Sequence, residues 1–341
     1  MAANSQAGAT PLMPPSSRAP SAARVSVIMP CFNAEATIAR AITSVQAQTF
    51  PDWELIVVDD GSADNSASTI LGIGDARIRL LAQPNSGAAV ARNRGLVEAG
   101  AEFVAFLDSD DTWHPEFLEQ MVTALQASPA AVLAYCGWQN LYPDGSAGIP
   151  FVPPDYEPLD RLETFLGGCR WPIHGALVRR SEIQTVGAFD ETLQASEDYD
   201  LWLRLVARGP LVLVPAVLAY YHHHLGTQIT KNRQRVALSH WMAQQNFLRE
   251  NPNAALHLGK RRLRELVIGE LLRQGYISYW RRDLHTARAL FKKVMRAGYG
   301  RPRDWFYMLP AILPFSMHKR LVTWRDSNSQ KGNAPPSNPF C

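Results

Sequence analysis

The chain has 341 residues, 46% of them hydrophobic, and a formal net charge of +3. That apolar content suffices for one large domain or two smaller ones, while the absence of any run of about 18 apolar residues argues against a membrane-spanning helix. The charge is uneven: Lys231 to Arg325 hold 20 Lys/Arg against 5 Asp/Glu, and the remainder 14 against 26, so a basic tail follows an acidic body.

Residues 1–22 are rich in Ala, Ser and Pro and lack an apolar h-region, which reads as a disordered arm and not as a signal peptide. The run VSVIMP (25–30) is a short strand, followed by helical periodicity over 35–48. WELIVVDD (53–60) is the second strand, 64–73 a helix and RIRLLAQ (77–83) the third strand. Residues 86–100 read as a helix with Ser86 as N-cap and Gly100 as its stop, and EFVAFLD (102–108) as the fourth strand. Strands alternating with helices at this spacing predict a doubly wound, mostly parallel α/β sheet, whose sites lie beyond the carboxyl ends of its strands. Asp59-Asp60 and Asp108-Ser109-Asp110 fall at such ends.

Past residue 130 the pattern loosens, with GALVRR (175–180) as a strand and EDYDLWLRLVARG (197–209) as a helix stopped by Gly209-Pro210. From about 232 the sequence is helical, and its two central segments suggest a helical pair like one tetratricopeptide unit, too little for a repeat array. WFYMLPAILPF (305–315) is apolar, proline-broken and too short to span; it suits either a membrane interface or a buried segment. The basic tail likewise suits phosphates, an anionic membrane, or a solvated surface. Cys31, Cys136, Cys169 and Cys341 show no CxxC spacing, which argues against a zinc site or disulfide framework and fits a reducing cytoplasm.

The acidic string Asp108-Ser109-Asp110-Asp111 ends an apolar run, and like charges so close repel unless a cation or hydrogen bonds compensate. Hard divalent cations take oxygen ligands, and Mg²⁺ completes its shell with water and substrate phosphates. Asp108 and Asp110, at i and i+2, are therefore candidate ligands of a metal–diphosphate site. The competing use is helix capping, by Asp111 or Thr112, of a helix beginning near Pro115.

Three ordered segments, VSVIMPCFNAEATIARAITSVQAQTFPDWELIVVDDGSADNS, GAAVARNRGLVEAGAEFVAFLDSDDTWHPEFLE and VGAFDETLQASEDYDLWLRL, resemble the family-2 inverting glycosyltransferases of the GT-A fold over roughly residues 24–230. The resemblance implies a GT-A domain over 24–230, with a basic helical region (231–325) and a disordered tail (326–341) beyond it. It implies nucleotide contacts from Pro30, Phe32 and Glu35, base contacts from Asp60 with Asp59 beside it, and a pocket lined by Asn93 and Arg92. Asp64 belongs to the same loop, either there or as a helix cap. Asp108, Ser109 and Asp110 would meet the diphosphate and Mg²⁺ or Mn²⁺, with His224 as a further metal ligand. Asp198 matches the family's general base, with Glu197 accompanying it. Trp171 and His174 could touch the acceptor, since aromatic faces stack on sugars, and a core role for Trp171 stays open.

The sequence lacks QxxRW and the transmembrane helices of processive synthases, which points to a distributive enzyme adding one sugar per encounter. The resemblance thus implies a nucleotide-sugar donor, expected to be UDP-linked, and a hydroxyl acceptor on a glycan or lipid in cell-surface polysaccharide synthesis. The expected location is the cytoplasm at the inner face of the membrane, without nucleic acid as a partner. The alternative is a catalytically inactive sugar-nucleotide-binding module, against which the retained Asp108, Asp110 and Asp198 speak. A nucleotidyltransferase or Rossmann dehydrogenase would need a Gly-rich loop after the first strand, where CFNAEAT stands.

Overall fold

The computed structural model describes residues 23–224 and 232–329. Eight strands form one sheet in the order β3-β2-β1-β4-β7-β6-β8-β5. They are β1 (Val25–Cys31), β2 (Trp53–Asp59), β3 (Ile78–Ala82), β4 (Phe103–Phe106), β5 (Thr112–Trp113), β6 (Leu133–Leu141), β7 (Ala176–Arg179) and β8 (Leu211–His222). The sheet is mixed: β1, β2, β3 and β4 run parallel, as do β6 and β8, while β7 and β5 pair antiparallel with their neighbours.

The apolar runs of β1, β2 and β4 are buried on both faces, as a sheet covered by helices requires. Val25, Val27 and Met29 point into one core with α1 (Ile38–Gln46), α2 (Ser66–Gly72) and α4 (Phe117–Ala127). Ile28 points into the other, with α3 (Ala88–Glu98), α5 (Arg161–Leu166), α6 (Arg180–Val186) and α7 (Glu197–Val206). Pro30 is tolerated inside β1 because the ladder with β4 has already closed at Ile28↔Phe106.

Between β4 and β5 the chain makes a tight turn, Asp111 N–H donating to the Asp108 carbonyl at 3.1 Å. In a flat sheet β4 and β5 would lie about 19 Å apart, four strand spacings. So short a connection requires the β7-β6-β8-β5 half to curl back, bringing β8's end to the acidic turn.

Two capping expectations are corrected. Asp111 and Thr112 do not cap α4, whose N-cap is Glu116; Thr112 is in β5, and the Asp111 carboxylate is committed to β8. Ser86 does not cap α3: Gly87 holds that position at φ 96°, and the Ser86 hydroxyl donates to the Pro84 carbonyl. β6 and β5 were not foreseen. α7 begins at Glu197 as expected and ends at Val206.

The C-terminal helices are α8 (Arg233–Glu250), α9 (Gly259–Arg264), α10 (Glu270–Trp280), α11 (Leu284–Arg296), α12 (Pro302–Met308) and α13 (Phe315–Ser329). A π-turn over Glu265–Gly269 joins α9 to α10. The expected helical pair is α10 with α11, packed closely enough that a Cβ on Gly275 would sit 2.6 Å from the Phe291 ring. α8 links this group to the sheet domain, sending Ala237 into the C-terminal core and Phe247 into that of α7. Helix α13 carries ordered structure past 325; residues 1–22, 330–341 and the junction near 230 lie outside the described residues. No helix among the described residues is long and apolar enough to cross a membrane.

Trp171 lies in the α5/α7 core, 2% exposed, its ring stacked 4.4 Å from Tyr135 and edge-on to Phe165 at 4.9 Å. Truncating so large a buried ring leaves a cavity. Trp171→Ala should lower the unfolding free energy by about 3–5 kcal/mol in urea titrations. A loss below about 1 kcal/mol would contradict this placement.

Candidate active site

The acidic turn follows β4, and Asp108, Asp110 and Asp111 each offer a carboxylate oxygen within 4.8 Å of the others. Each has its own compensating partner. Arg92 Nη2 donates to Asp108 Oδ1 at 2.6 Å. His224 Nε2 lies 3.0 Å from Asp110 Oδ2. The His222 backbone N–H donates to Asp111 Oδ1 at 2.8 Å, and His174 Nδ1 stands 3.0 Å from Asp111 Oδ2. That last contact has the distance of an ion pair but not the angles of a hydrogen bond, and Asp111 Oδ2 and both His174 ring nitrogens are buried without hydrogen-bond partners. Burial alone would make His174 a weaker base, yet the neighbouring charge of Asp111 outweighs it and the pKa is raised. Burial, with repulsion from Asp111 and Asp108, pushes the Asp110 carboxyl up to about 6.

This donor set fits a hard divalent cation: all-oxygen, anionic, crowded at a cost that a cation would relieve, and including a buried oxygen with no hydrogen-bond donor. Asp111 joins Asp108 and Asp110 as a third candidate ligand, one that the sequence reading had given to a helix cap. Ser109 is half-buried at the turn's apex. The three consecutive histidines separate by role. His222 Nε2 meets Thr112 Oγ1 at 2.9 Å, His223 Nε2 meets Asn140 Oδ1 at 3.1 Å, and His224 stands at Asp110.

On the other side of Arg92 lies the start of α7. Arg92 Nη1 donates to Glu197 Oε1 at 2.6 Å, so one buried guanidinium spans Asp108 and Glu197. Ser196, at φ 60° and ψ 27°, adopts a left-handed conformation uncommon outside glycine and turns the chain into α7 at Glu197-Asp198. Asp198 is half-buried and its Oδ1 accepts from the Tyr199 N–H at 2.8 Å. Desolvation first, then Glu197, raises its pKa to about 6, against the lowering influence of the Tyr199 N–H and Arg92. A carboxylate so poised suits proton abstraction near neutral pH.

The loops after β1 and β2 interlock. Glu35 N–H donates to Asp64 Oδ2 at 3.0 Å, and Asn65 N–H returns to Glu35 Oε2 at 3.0 Å. Asp64 also accepts from the Ser66 N–H at 3.0 Å, but the N-cap of α2 is Asn65, so Asp64 does not hold the cap position offered as its alternative. Asp59 Oδ1 accepts from Ser62 N–H at 3.1 Å. Asp60 accepts from Gln83 Nε2, Ser86 N–H and Gly87 N–H, each at 2.8 Å, and so fixes the loop into α3. Gly61, at φ 79°, lets these loops meet, since a Cβ there would lie 2.8 Å from Asn85 N. Phe32 stays 51% exposed at the end of β1, available to a planar ring.

Three expected contacts are differently employed. The Asn93 amide donates to the Phe189 carbonyl at 3.0 Å and Glu191 Oε1 at 2.8 Å, and accepts from Phe189 N–H at 2.9 Å, so it clamps the segment before α7. Trp171 is in the core, and His174 is fully buried beneath the acidic turn. The sequence reading missed Asp111 as a site group and the Arg92–Glu197 contact, which joins residues 105 apart in sequence.

A mixed sheet with helices on both faces, strand-end carboxylates and a carboxylate pair opening α7 define a GT-A-type glycosyltransferase fold. The chain matches the description "Glycosyl transferase family 2" over residues 26–168. It is 32% identical over 235 residues to the UDP-Glc:alpha-D-GlcNAc-diphosphoundecaprenol beta-1,3-glucosyltransferase WfgD of Escherichia coli, covering 68% of this chain and 89% of WfgD. The chain therefore belongs to glycosyltransferase family 2. The fold is also that of S. aureus TarS 1-349 in complex with UDP-GlcNAc (TM-score 0.65, 18% identity, 92% of this chain and 93% of TarS 1-349). A mannosyltransferase from Pyrobaculum calidifontis in complex with GDP-Man and Mn2+ shares it as well (TM-score 0.55, 19% identity, 94% and 90% covered).

Because the folded Asp198 pKa lies above the ordinary 3.8, the folded state binds its proton more tightly than the unfolded chain does. The associated stability is present at low pH and is lost as pH rises toward about 6. Asp198→Asn should therefore melt at a higher temperature than the wild type at pH 8 and at about the same temperature at pH 4. Equal melting temperatures at pH 8, followed by calorimetry, would contradict a strained carboxylate at 198.

Proposed function

We propose that this glycosyltransferase moves one sugar per encounter from a nucleoside-diphosphate sugar, UDP-linked, to a hydroxyl of a glycan or lipid-linked acceptor, with inversion at the anomeric carbon. The observation that carries the reading is the buried Arg92 bridging Asp108 of the acidic turn and Glu197, the residue next to Asp198, whose carboxyl senses the charges of both Arg92 and Asp108. That arrangement supports assigning the two demands of a single displacement, a base for the incoming hydroxyl and charge compensation for the departing diphosphate, to neighbouring groups.

In this reading the nucleotide lies over the ends of β1 and β2. Phe32 offers a face to the base, and the interlocked loops around Pro30, Glu35, Asp59 and Asp60 shape its seat. Asp108 and Asp110, with Asp111 behind them, would hold Mg²⁺ or Mn²⁺, which supplies Lewis-acid compensation of the diphosphate's charge. His224 and Arg92 keep the turn's carboxylates from repelling one another. Asp198 takes the acceptor hydroxyl's proton as its oxygen attacks the anomeric carbon, and the nucleoside diphosphate leaves from the opposite face. One displacement inverts the configuration. Base assistance of this kind is worth about 10²–10⁴ in rate.

WfgD, by its name, acts from UDP-Glc on a diphosphoundecaprenol-linked sugar, which supports a UDP donor and a lipid-linked acceptor in cell-surface polysaccharide synthesis here. Such an acceptor would be met at the cytoplasmic face of a membrane.

Asp198→Asn should reduce turnover by at least about 10²-fold while leaving nucleoside-diphosphate binding within about twofold by calorimetry, since the amide keeps the shape but cannot take the proton. Normal turnover in that variant would remove Asp198 as the base. Asp110→Ala should instead abolish the gain in UDP affinity produced by Mn²⁺, and an undiminished gain would remove Asp110 from the cation site.

A further inference from the structure

Five large apolar side chains stand in water on one short stretch near the C-terminus: Leu309 (49% exposed), Ile312 (59%), Met317 (50%), Leu321 (38%) and Trp324 (63%). Each has the hydrophobic effect against it, and the chain could have hidden them, since Met308, Ala311 and Val322 from the same stretch are buried in the C-terminal core. On α13, Met317, Leu321 and Trp324 recur at i, i+4 and i+7 and so form one stripe, beside the buried stripe of His318 and Val322. Pro310 and Pro314 break the approach to α13, which prevents one long helix and presents two short apolar edges instead.

The surroundings are strongly basic. From residue 281 to 324 the sequence has ten Lys/Arg and two Asp/Glu, and Arg301, Arg303 and Arg320 are exposed within the same stretch. Arg320 lies next to the Met317–Leu321–Trp324 stripe around the helix, where its stem can follow an apolar surface while its head reaches phosphates. Apolar insertion with cationic flanks matches the two layers of an anionic bilayer surface, acyl boundary below and phosphates above. A free polyanion would satisfy the charges but leave Ile312 and Trp324 in water.

We propose that the α12–α13 face docks on an anionic phospholipid surface, inserting Ile312, Met317, Leu321 and Trp324 at the acyl boundary while Arg303 and Arg320 meet lipid phosphates. It deepens the reading of a lipid-linked acceptor: the face would hold the enzyme where that acceptor resides, although the surface features stand without it.

The full chain is sedimented with phosphatidylcholine vesicles containing or lacking phosphatidylglycerol, alongside Ile312→Asp/Trp324→Asp and Arg303→Glu/Arg320→Glu variants. These positions are exposed, so folding should survive, and unchanged circular dichroism with unchanged Mn²⁺-assisted UDP binding verifies it. The wild type should bind phosphatidylglycerol vesicles and scarcely bind pure phosphatidylcholine, and each double variant should bind at least about tenfold more weakly. Wild-type protein that ignores both vesicles overturns the proposal. So does loss on charge reversal alone, which marks a plain polyanion site. A wild-type dimer that Trp324→Asp dissociates in light scattering also overturns it, because a second copy then covers the face. UDP binding is read separately, so failure here leaves the transferase reading standing, and the converse holds.

Discussion

Arg92 is buried between two carboxylates, Asp108 from the end of a central strand and Glu197 from the start of a helix in the other half of the domain. Both contacts are 2.6 Å, and its Nε finds no hydrogen-bond partner. A cation so placed is costly to desolvate and is kept charged by its two partners, which together raise its pKa against the effect of burial. Removing one member of such a set typically costs about 3–5 kcal/mol, because the remaining charges stay buried. The geometry of the pocket rests on this ionic bridge: it fixes how far the acidic turn stands from the carboxylate pair of α7.

The curl of the sheet does the rest. It returns the end of β8 to the acidic turn, so that His222 N–H and His224 reach Asp111 and Asp110 across more than 110 residues. Beneath them buried His174 stands 3.0 Å from Asp111, whose charge raises its pKa. The turn is thus met by groups from three segments, Arg92, His174 and the end of β8, while keeping carboxylate oxygens gathered within 4.8 Å. A cluster that would be destabilising on its own becomes a rigid, preorganised anionic site, and the part of the charge left uncompensated is what a divalent cation would answer.

The parallel half of the fold was legible because its signals are local: apolar runs of strand length, each ending in a turn or helix signal, and carboxylates at strand ends. The curled half was not. β6 includes Gly137 and the polar pair Gln139-Asn140, shifts register around Gly137, and pairs with strands far along the chain, so no local periodicity marks it. Asp111 and Ser86 sit just ahead of helices and were assigned as caps on that ground; the Asp111 carboxylate instead takes the distant His222 N–H, and the Ser86 hydroxyl turns to the nearby Pro84 carbonyl. Asn93 and Trp171 illustrate the same limit. A polar group on a helix and an aromatic in a loop read equally well as ligand contacts or scaffold, and only the Phe189 backbone and the Tyr135 ring distinguish the two. The start of α7 at Glu197-Asp198 was readable from the sequence, but the Arg92 bridge that ties Glu197 to Asp108 was not.

Asp108 and Glu197 share one guanidinium. A double-mutant cycle tests it most directly: Asp108→Asn, Glu197→Gln and the double variant, each followed by urea unfolding at one pH and salt concentration. A coupling of at least about 1 kcal/mol between the two positions is expected, because each neutralisation changes what Arg92 offers the other. Effects that add within about 0.5 kcal/mol would mean that the two carboxylates do not sense the same cation, and the bridge would be refuted.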